Sequence, residues 1–435
     1  MEINQFQELS NNYKNGEERN QLKSFLTDPK INNNRKTIVF STPSETGTSF
    51  FRVLEPAFSI IRQNPDEFNI IYTEGITPAH FNIADLIVMH RADQRHTLLI
   101  EVAKKLPKTS KRPLILHDVD DNEFQLPKSH SMKDLWLTFK KDQHSLYAIK
   151  NSDYINTTGR NLANVFLTYN KNVKIFRNFF NWKLPQWNRN DLIIENKNKY
   201  KDKIVLGYCG LSSHESDLRK LSRIWKKIHD TFPNTHFIVS GIVTVDIMYQ
   251  IEKNPDGSIS SKEQKVTDPE HTYRGRITKY FEDFDQDRIE LQDSKNLENW
   301  GEFYTQYDIN CVYVEQNTFN KCKSDIKLVE GLHYNNIPIF SDWGPYNEFY
   351  YNLPNELKDD KIKCVTENQN EWVEKISHII NNIEKYRNYT KKLKEYSDKL
   401  SDIDFHINER INYYNEIIEK HDDNETKKTS KYISL

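Results

Sequence analysis

Apolar positions along the first half of the chain fall into short β-branched or aromatic runs, separated by stretches with helical spacing. The runs at 37–41, 68–72, 85–89, 113–117, 154–157 and 173–176 read as strands. Between them Phe50, Leu54, Phe58 and Ile61, and later Leu98, Leu99, Val102 and Leu106, recur at helical intervals. Short apolar strands alternating with amphipathic helices predict a parallel sheet covered on both faces. The pattern lapses over 181–203, a polar stretch rich in Asn and Lys that reads as a linker. It resumes with strand runs at 204–208, 236–240, 288–291, 309–314 and 337–341. A helical stripe of Leu218, Leu221, Ile224, Trp225 and Ile228 lies among them, with further helices over 297–307 and 324–334. Residues 246–275, which contain Asn254–Pro255–Asp256–Gly257, Ser260–Ser261 and Asp268–Pro269, read as a loop-rich insertion.

The spacing thus predicts an α/β chain with two Rossmann-like domains, at 36–185 and 200–365. A polar helical arm at 1–35 precedes them, and charged helices at 366–420 and a disordered tail at 421–435 follow. A chain of 435 residues is long for one core and natural for two. Ligands of open parallel sheets lie beyond the carboxyl ends of the strands. Two such sheets facing a central cleft would place a site there.

Composition narrows the function classes. Hydrophobic residues make up only 36% of the chain, but aromatics reach 12%, and large rings let a modest apolar count fill real cores. The net charge of −2, from 61 basic and 63 acidic residues, disfavours a protein whose main work is gripping a nucleic-acid backbone. The local basic stretch Lys104, Lys105, Lys108, Lys111 and Arg112 reads as a solvated helix end and loop. Cys209, Cys311, Cys322 and Cys364 are scattered and form no CxxC pair, which argues against a disulfide scaffold or zinc site and fits a reducing cytoplasm. The opening stretch lacks the apolar core of a signal peptide. No apolar run nears the roughly 18 residues of a membrane span, so at most peripheral membrane contact is expected.

Candidate chemistry concentrates in NKCKSDIKLVEGLHYNNIPIFSDWGP, residues 320–345. Ser324 or Asp325 can cap a helix whose N-terminus would accept an anion such as a diphosphate. Lys323, Lys327 and Glu330 follow at i, i+4 and i+7 and share one face, with Ile326, Val329 and Leu332 on the adjoining one. Two cations and a carboxylate suit a nucleotide, the cations taking phosphates and the carboxylate ribose hydroxyls. A plain surface ion pair between Lys327 and Glu330 is the other reading.

This segment resembles the donor-binding element of retaining GT-B glycosyltransferases of the family 4 type, whose second domain carries a Glu-x7-Glu motif. Glu330 matches the second glutamate, and Cys322 stands where the first is expected, so the motif is degenerate. GYCGLSSHESDL, residues 207–218, resembles the first strand-to-helix loop of the donor domain. Gly210 would let the backbone approach phosphate, with Ser212, Ser213 and His214 beside it, while Ser213 or Ser216 could equally be a helix cap. STPSETGTSFFRVLEP, residues 41–56, resembles the glycine-bearing loop of the first domain, with Gly47 against the donor and Arg52 toward an anion. Asn178 falls before the hinge and reads as structural.

Asp118–Val119–Asp120, in HDVDDNEF, is literally the DxD of metal-dependent GT-A enzymes, though the second α/β domain favours GT-B, which generally needs no metal. His117 and Asp118 would then face the transferring sugar or acceptor. Asp120 and Asp121 opening a turn is the plainer alternative. The resemblance implies a hexosyltransferase-type enzyme with a UDP- or GDP-type nucleotide-sugar co-substrate, no other cofactor and no metal. The acceptor would be a glycan, a lipid-linked glycan or modified DNA, and configuration would be retained. Catalysis would centre on His117, Asp118 and Lys323, and donor binding on Gly47, Gly210, Ser212, His214, Ser324, Asp325, Lys327 and Glu330. The rivals are a phage-type DNA glycosyltransferase and a non-catalytic nucleotide-sugar-binding protein.

Overall fold

The computed structural model describes all residues except 107–111, 129, 131, 244–246, 254–258, 434 and 435. Lys108, Lys111 and the Asn254–Pro255–Asp256–Gly257 stretch therefore lie outside the described residues. The chain divides into two compact units. The first comprises residues 1–124, 140–185 and 400–435, and the second residues 125–139 and 186–399.

In the first unit the strands are β1 (Lys36–Ser41), β2 (Phe68–Thr73), β3 (Leu86–His90), β4 (Leu114–Val119), β5 (Tyr154–Thr157) and β6 (Val173–Ile175). They pair in parallel in the order β2-β1-β3-β4-β5-β6. β1, β3 and β4 are buried almost throughout, as continuous apolar runs require when both faces of a parallel sheet are covered. The expected helix after β1 is present, but its first turn, Phe50–Leu54, is π-helical before Glu55–Gln63 continues as α-helix.

Both ends of the chain belong to the first unit. Residues 1–35 contain helices Ile3–Asn12 and Gly16–Thr27, and Phe6, Leu22 and Leu26 on them, with Tyr13 between them, are completely buried. Phe6 meets Phe58 edge-on at 5.9 Å between ring centroids. Apolar positions spaced at helical intervals were present there but diluted by polar neighbours. Likewise the last helix, Ile403–Ile433, runs through the segment expected to be disordered. No glycine or proline interrupts that run, so nothing local stops the helix. It belongs to the first unit, where Tyr414 packs on Phe40 and the Arg410 guanidinium lies over the Phe176 ring at 4.6 Å.

In the second unit β7 (Ile204–Cys209), β8 (Thr235–Ile242), β11 (Ile289–Asp293), β12 (Ile309–Val312), β13 (Ile337–Ser341) and β14 (Lys363–Cys364) form a parallel sheet ordered β11-β8-β7-β12-β13-β14. The stretch read as loop instead holds an antiparallel pair, β9 (Ile247–Lys253) and β10 (Ile259–Lys265). Ser260 and Ser261, read as loop residues, lie within β10 and pair with Glu252 and Ile251 of β9. The supposed linker contains helix Asn190–Lys199, tied to the neighbouring 3₁₀ segment Leu297–Gln306 by Asn196 Nδ2 donating to Thr305 Oγ1 at 2.9 Å.

At the centre of this sheet Gly207 gives room for Tyr307. A Cβ at 207 would fall 2.1 Å from the Tyr307 ring, whose hydroxyl donates to Ser240 Oγ at 2.6 Å. We expect Gly207→Ala to destabilise the protein by about 1–3 kcal/mol through overpacking. The double variant with Tyr307→Ala should cost clearly less than the sum of the single changes in urea unfolding. Strict additivity would mean the ring does not depend on this glycine.

Candidate functional site

In the second sheet β7 is flanked by β8 on one side and β12 on the other, and the chain leaves β7 toward β8 but leaves β12 toward β13, in the opposite direction. This is a topological switch point, where the loops beyond the strand ends part and open a crevice. Three pieces of chain converge there: the loop after β7, the segment after β12, and helix Ile326–His333.

The loop after β7 turns at Gly210, whose N–H donates to the Ser240 carbonyl at 3.0 Å. A Cβ on Gly210 would lie 2.9 Å from Lys327 Nζ and 3.1 Å from the Tyr208 ring. The glycine is what lets an ammonium group rest against this loop. Lys327 Nζ stands 4.9 Å from the centroid of the Tyr208 ring, a cation–π contact, and 3.5 Å from its hydroxyl. The helix is seated on β12 by a second close approach: a Cβ on Gly331 would meet Asn310 Nδ2 at 2.1 Å, and that amide donates to the Lys327 carbonyl at 2.9 Å.

Burial dominates the electrostatics. Desolvation lowers the Lys327 pKa to about 8, against the pull of Asp217 and Glu330. Glu330, 3% exposed, accepts from the Tyr304 hydroxyl at 2.8 Å, yet burial raises its pKa to about 7. Asp217 is pushed up to about 6 by burial, although Lys327 and the Glu315 N–H, donating at 2.6 Å, oppose this. His214 Nδ1 lies 2.8 Å from Asp217 Oδ2, but burial and the neighbouring charges of Lys327 and Lys323 drive its pKa well down. The pair is therefore a neutral imidazole bonded to a carboxyl group. Among the described residues no carboxylate sits within ion-pairing distance of Lys327. A plain Lys327–Glu330 surface pair is absent.

The expected site residues divide as follows. Lys327, Glu330, Gly210 and His214 come together. Lys323 lies outside the helix, which begins at Ile326, and its ammonium sits over the Phe319 ring at 4.6 Å. Asp325 occupies the N-cap position without a side-chain cap bond, so it does not supply the expected cap, and Ser324 precedes it. Ser212 and His214 lie in a 3₁₀ turn, Ser212–His214, leading into helix Glu215–Thr231. His214 takes that helix's N-cap position with no side-chain cap bond, which rules out the Ser213 or Ser216 cap. On helix Ile326–His333 the buried apolar residues are Leu328, Val329 and Leu332, and Ile326 is only half-buried because it opens the helix.

His130 was missed. It comes from residues 125–139, which leave the first unit for the second, and its ring meets Phe319 edge-on at 5.3 Å. Burial and the Lys323 charge lower its pKa to about 4. Nothing in the local sequence pattern marks such an excursion.

The first-unit candidates behave differently. Asp118 is completely buried and receives Arg52 Nε at 2.6 Å and Nη2 at 3.1 Å, with Arg410 at 3.9 Å. Arg52 also donates to the Phe176 carbonyl at 2.5 Å and to Asn178 Oδ1 at 3.2 Å. Both residues are thus spent on each other: Asp118 does not face a sugar, and Arg52 does not face an external anion. Asp120 pairs with His90 at 3.4 Å and Arg91 at 3.7 Å, so each carboxylate of the DxD is answered by a protein cation. His117 is completely buried as well, its Nδ1 3.2 Å from the Met89 carbonyl and its Nε2 unpartnered, with a pKa lowered to about 3 by burial. Gly47 opens a short helical turn and is exposed, and a Cβ there would touch nothing, so no close approach requires a glycine. Among the described residues no group of three or more His, Cys, Asp or Glu is arranged to hold a metal ion.

No family model and no curated protein matches the sequence. Solved structures do match the fold. Sucrose-phosphate synthase from Thermosynechococcus elongatus superposes with a TM-score of 0.59 at 11% identity, over 89% of this chain and all of its own. Anabaena HepE, in complex with UDP and glucose, gives 0.57 at 10% identity over 87% and 99% of the two chains. Trehalose 6-phosphate synthase from Burkholderia multivorans gives 0.56 at 8% identity over 89% and 100%. The fold is GT-B.

In this GT-B chain the switch-point cluster makes a pH-dependent prediction. The folded pKa of Glu330, about 7, lies above its ordinary 4.5. Its contribution therefore favours the fold at low pH and is lost as pH rises through 7. Glu330→Gln cannot ionise and keeps what the wild type loses. Between pH 4.5 and 7.5 the wild type should lose on the order of 2–3 kcal/mol relative to the variant in urea unfolding. A difference that stays constant across this window would show that Glu330 ionises in the fold as it does in the unfolded chain.

Proposed function

We propose that the protein is a glycosyltransferase that moves a sugar from a nucleoside-diphosphate sugar to an acceptor hydroxyl. The observation that carries this reading is Lys327, a half-buried ammonium at a switch point with no carboxylate in ion-pairing distance. A cation desolvated without a partner is costly unless an anion completes it. The GT-B fold and the UDP and ADP bound in similar structures support a nucleotide diphosphate as that anion.

In this reading Lys327 and Lys323 stabilise the charge that gathers on the departing diphosphate. The start of helix Ile326–His333 adds its positive dipole end. Glu330, held by Tyr304, takes a ribose or sugar hydroxyl as an acceptor of hydrogen bonds when ionised. Retention of configuration belongs to the proposal, with the leaving phosphate receiving the acceptor proton. So does a metal-independent reaction, since protein cations stand where a divalent ion would otherwise answer the phosphates. A hexosyl donor of UDP or GDP type and a cytoplasmic setting complete it. The acceptor in this reading is a glycan, a lipid-linked glycan or modified DNA, and no helix of the described residues is long and apolar enough to cross a membrane.

One observation favours a second reading, that of a protein that binds nucleotide sugars without catalysis. Cys322, a buried thiol, occupies the place where the resembled motif has its first glutamate. Slow hydrolysis of the donor by the wild type, followed by release of nucleoside diphosphate, separates the two.

We expect Lys327→Ala to weaken binding of UDP, GDP or ADP by roughly 10- to 100-fold in calorimetry, the range for losing a charged hydrogen bond. The folded state should persist, since the variant removes a desolvated charge. An unchanged affinity for whichever nucleotide binds best would remove the switch-point crevice from the donor site.

A further inference from the structure

At the opposite, amino-terminal edge of the second sheet lies a cavity of about 490 Å³. Lys203 and Val205 bound it at the start of β7, Asp308 just before β12, and Asn335 just before β13. β7 is six residues long, so the cavity is about 20 Å from the switch-point crevice at roughly 3.3 Å per residue. The two do not share a lining.

Its charge is one-sided. Five cations line it against two carboxylates, Asp308 and Glu384, and both carboxylates are already engaged by Arg387. Asp308 is doubly committed, since its other oxygen accepts from the Val205 N–H at 2.9 Å. That leaves Lys197, Lys201, Lys203 and Lys391 without a carboxylate partner among the described residues. Lys391 reaches only Asn388 Oδ1, at 3.2 Å. These lysines come from three separate stretches: helix Asn190–Lys199, the turn before β7, and helix Ile383–Ser401. Like charges gathered from distant parts of a chain repel one another, and a concave wall concentrates their field.

From this juxtaposition we infer that the cavity is a second binding site, for a small molecule carrying at least two phosphoryl groups. The volume falls in the range of small-molecule pockets and exceeds what one phosphate fills. Four uncommitted ammonium groups suit several phosphoryl oxygens better than a single anion. The site is independent of the donor reading, because it lies at the other end of the strands and uses none of its residues.

The test uses pyrophosphate as probe in calorimetry on the full chain, in a Lys323→Ala/Lys327→Ala background that removes the switch-point cations. We expect one equivalent to bind there. Adding Lys197→Glu and Lys203→Glu should weaken it by roughly tenfold or more, and Lys391→Glu alone by a smaller factor, since each places a carboxylate where a phosphoryl group would lie. Lys203→Arg should retain binding. All four lysines are exposed, so the variants should unfold at the same urea midpoint as their parent. The inference is overturned if pyrophosphate does not bind in the background variant. It is also overturned if the charge reversals leave the affinity unchanged, or if sulfate binds as tightly as pyrophosphate.

Discussion

Everything at the carboxyl end of β7 follows from holding the Lys327 ammonium partly out of water without a carboxylate beside it. An amine in that position resists carrying its charge, and its pKa falls to about 8. The surroundings are shaped around that one group. Gly210 leaves the room, the Tyr208 ring offers a π face, and Gly331 brings the helix close enough to β12 for Asn310 to fix the Lys327 backbone. Asp217 and Glu330 stand near but are themselves reluctant to ionise, with pKa values raised to about 6 and 7. Three groups that each titrate near neutrality form a cluster whose charge state an anionic ligand would decide.

The Arg52 cluster in the first unit shows what the opposite arrangement looks like. Arg52 is as buried as a side chain can be, yet Asp118, Asn178 and the Phe176 carbonyl answer it at hydrogen-bond distance. Asp118 lies on β4, Phe176 directly follows β6, and Arg52 reaches in from the π-helical turn. Such a network joins elements far apart in sequence and leaves nothing over for a substrate. Two clusters of comparable charge thus serve different ends, and the difference lies in whether the charges are satisfied.

Much of the framework was legible in the sequence. Continuous apolar runs such as 68–72 and 204–208 coincide with strands because both faces of a parallel sheet are buried. The switch-point residues were legible too, since Lys327 and Glu330 share a helix and Gly210 directly follows a strand. What the pattern did not carry was partnership. The spacing of Asp118 suits a metal or sugar ligand equally well, and only its contact with Arg52, 66 positions away, decides against both. His130 reaches Lys323 and Phe319 through a segment that changes units, which local periodicity does not record. The antiparallel pair β9–β10 was hidden for a simpler reason, because Asn, Pro, Asp, Gly and Ser cluster in its sequence and read as loop formers.

The central claim is that the crevice around Lys327 receives a nucleotide diphosphate. The most direct test is competitive labelling of lysine amines near pH 8, with modification at each lysine followed by mass spectrometry with and without nucleoside diphosphate. The account predicts that the nucleotide that binds protects Lys327, and to a lesser degree Lys323, while Lys226 on the outer face of its helix labels at the same rate. Equal labelling of Lys327 with and without saturating nucleotide would contradict it.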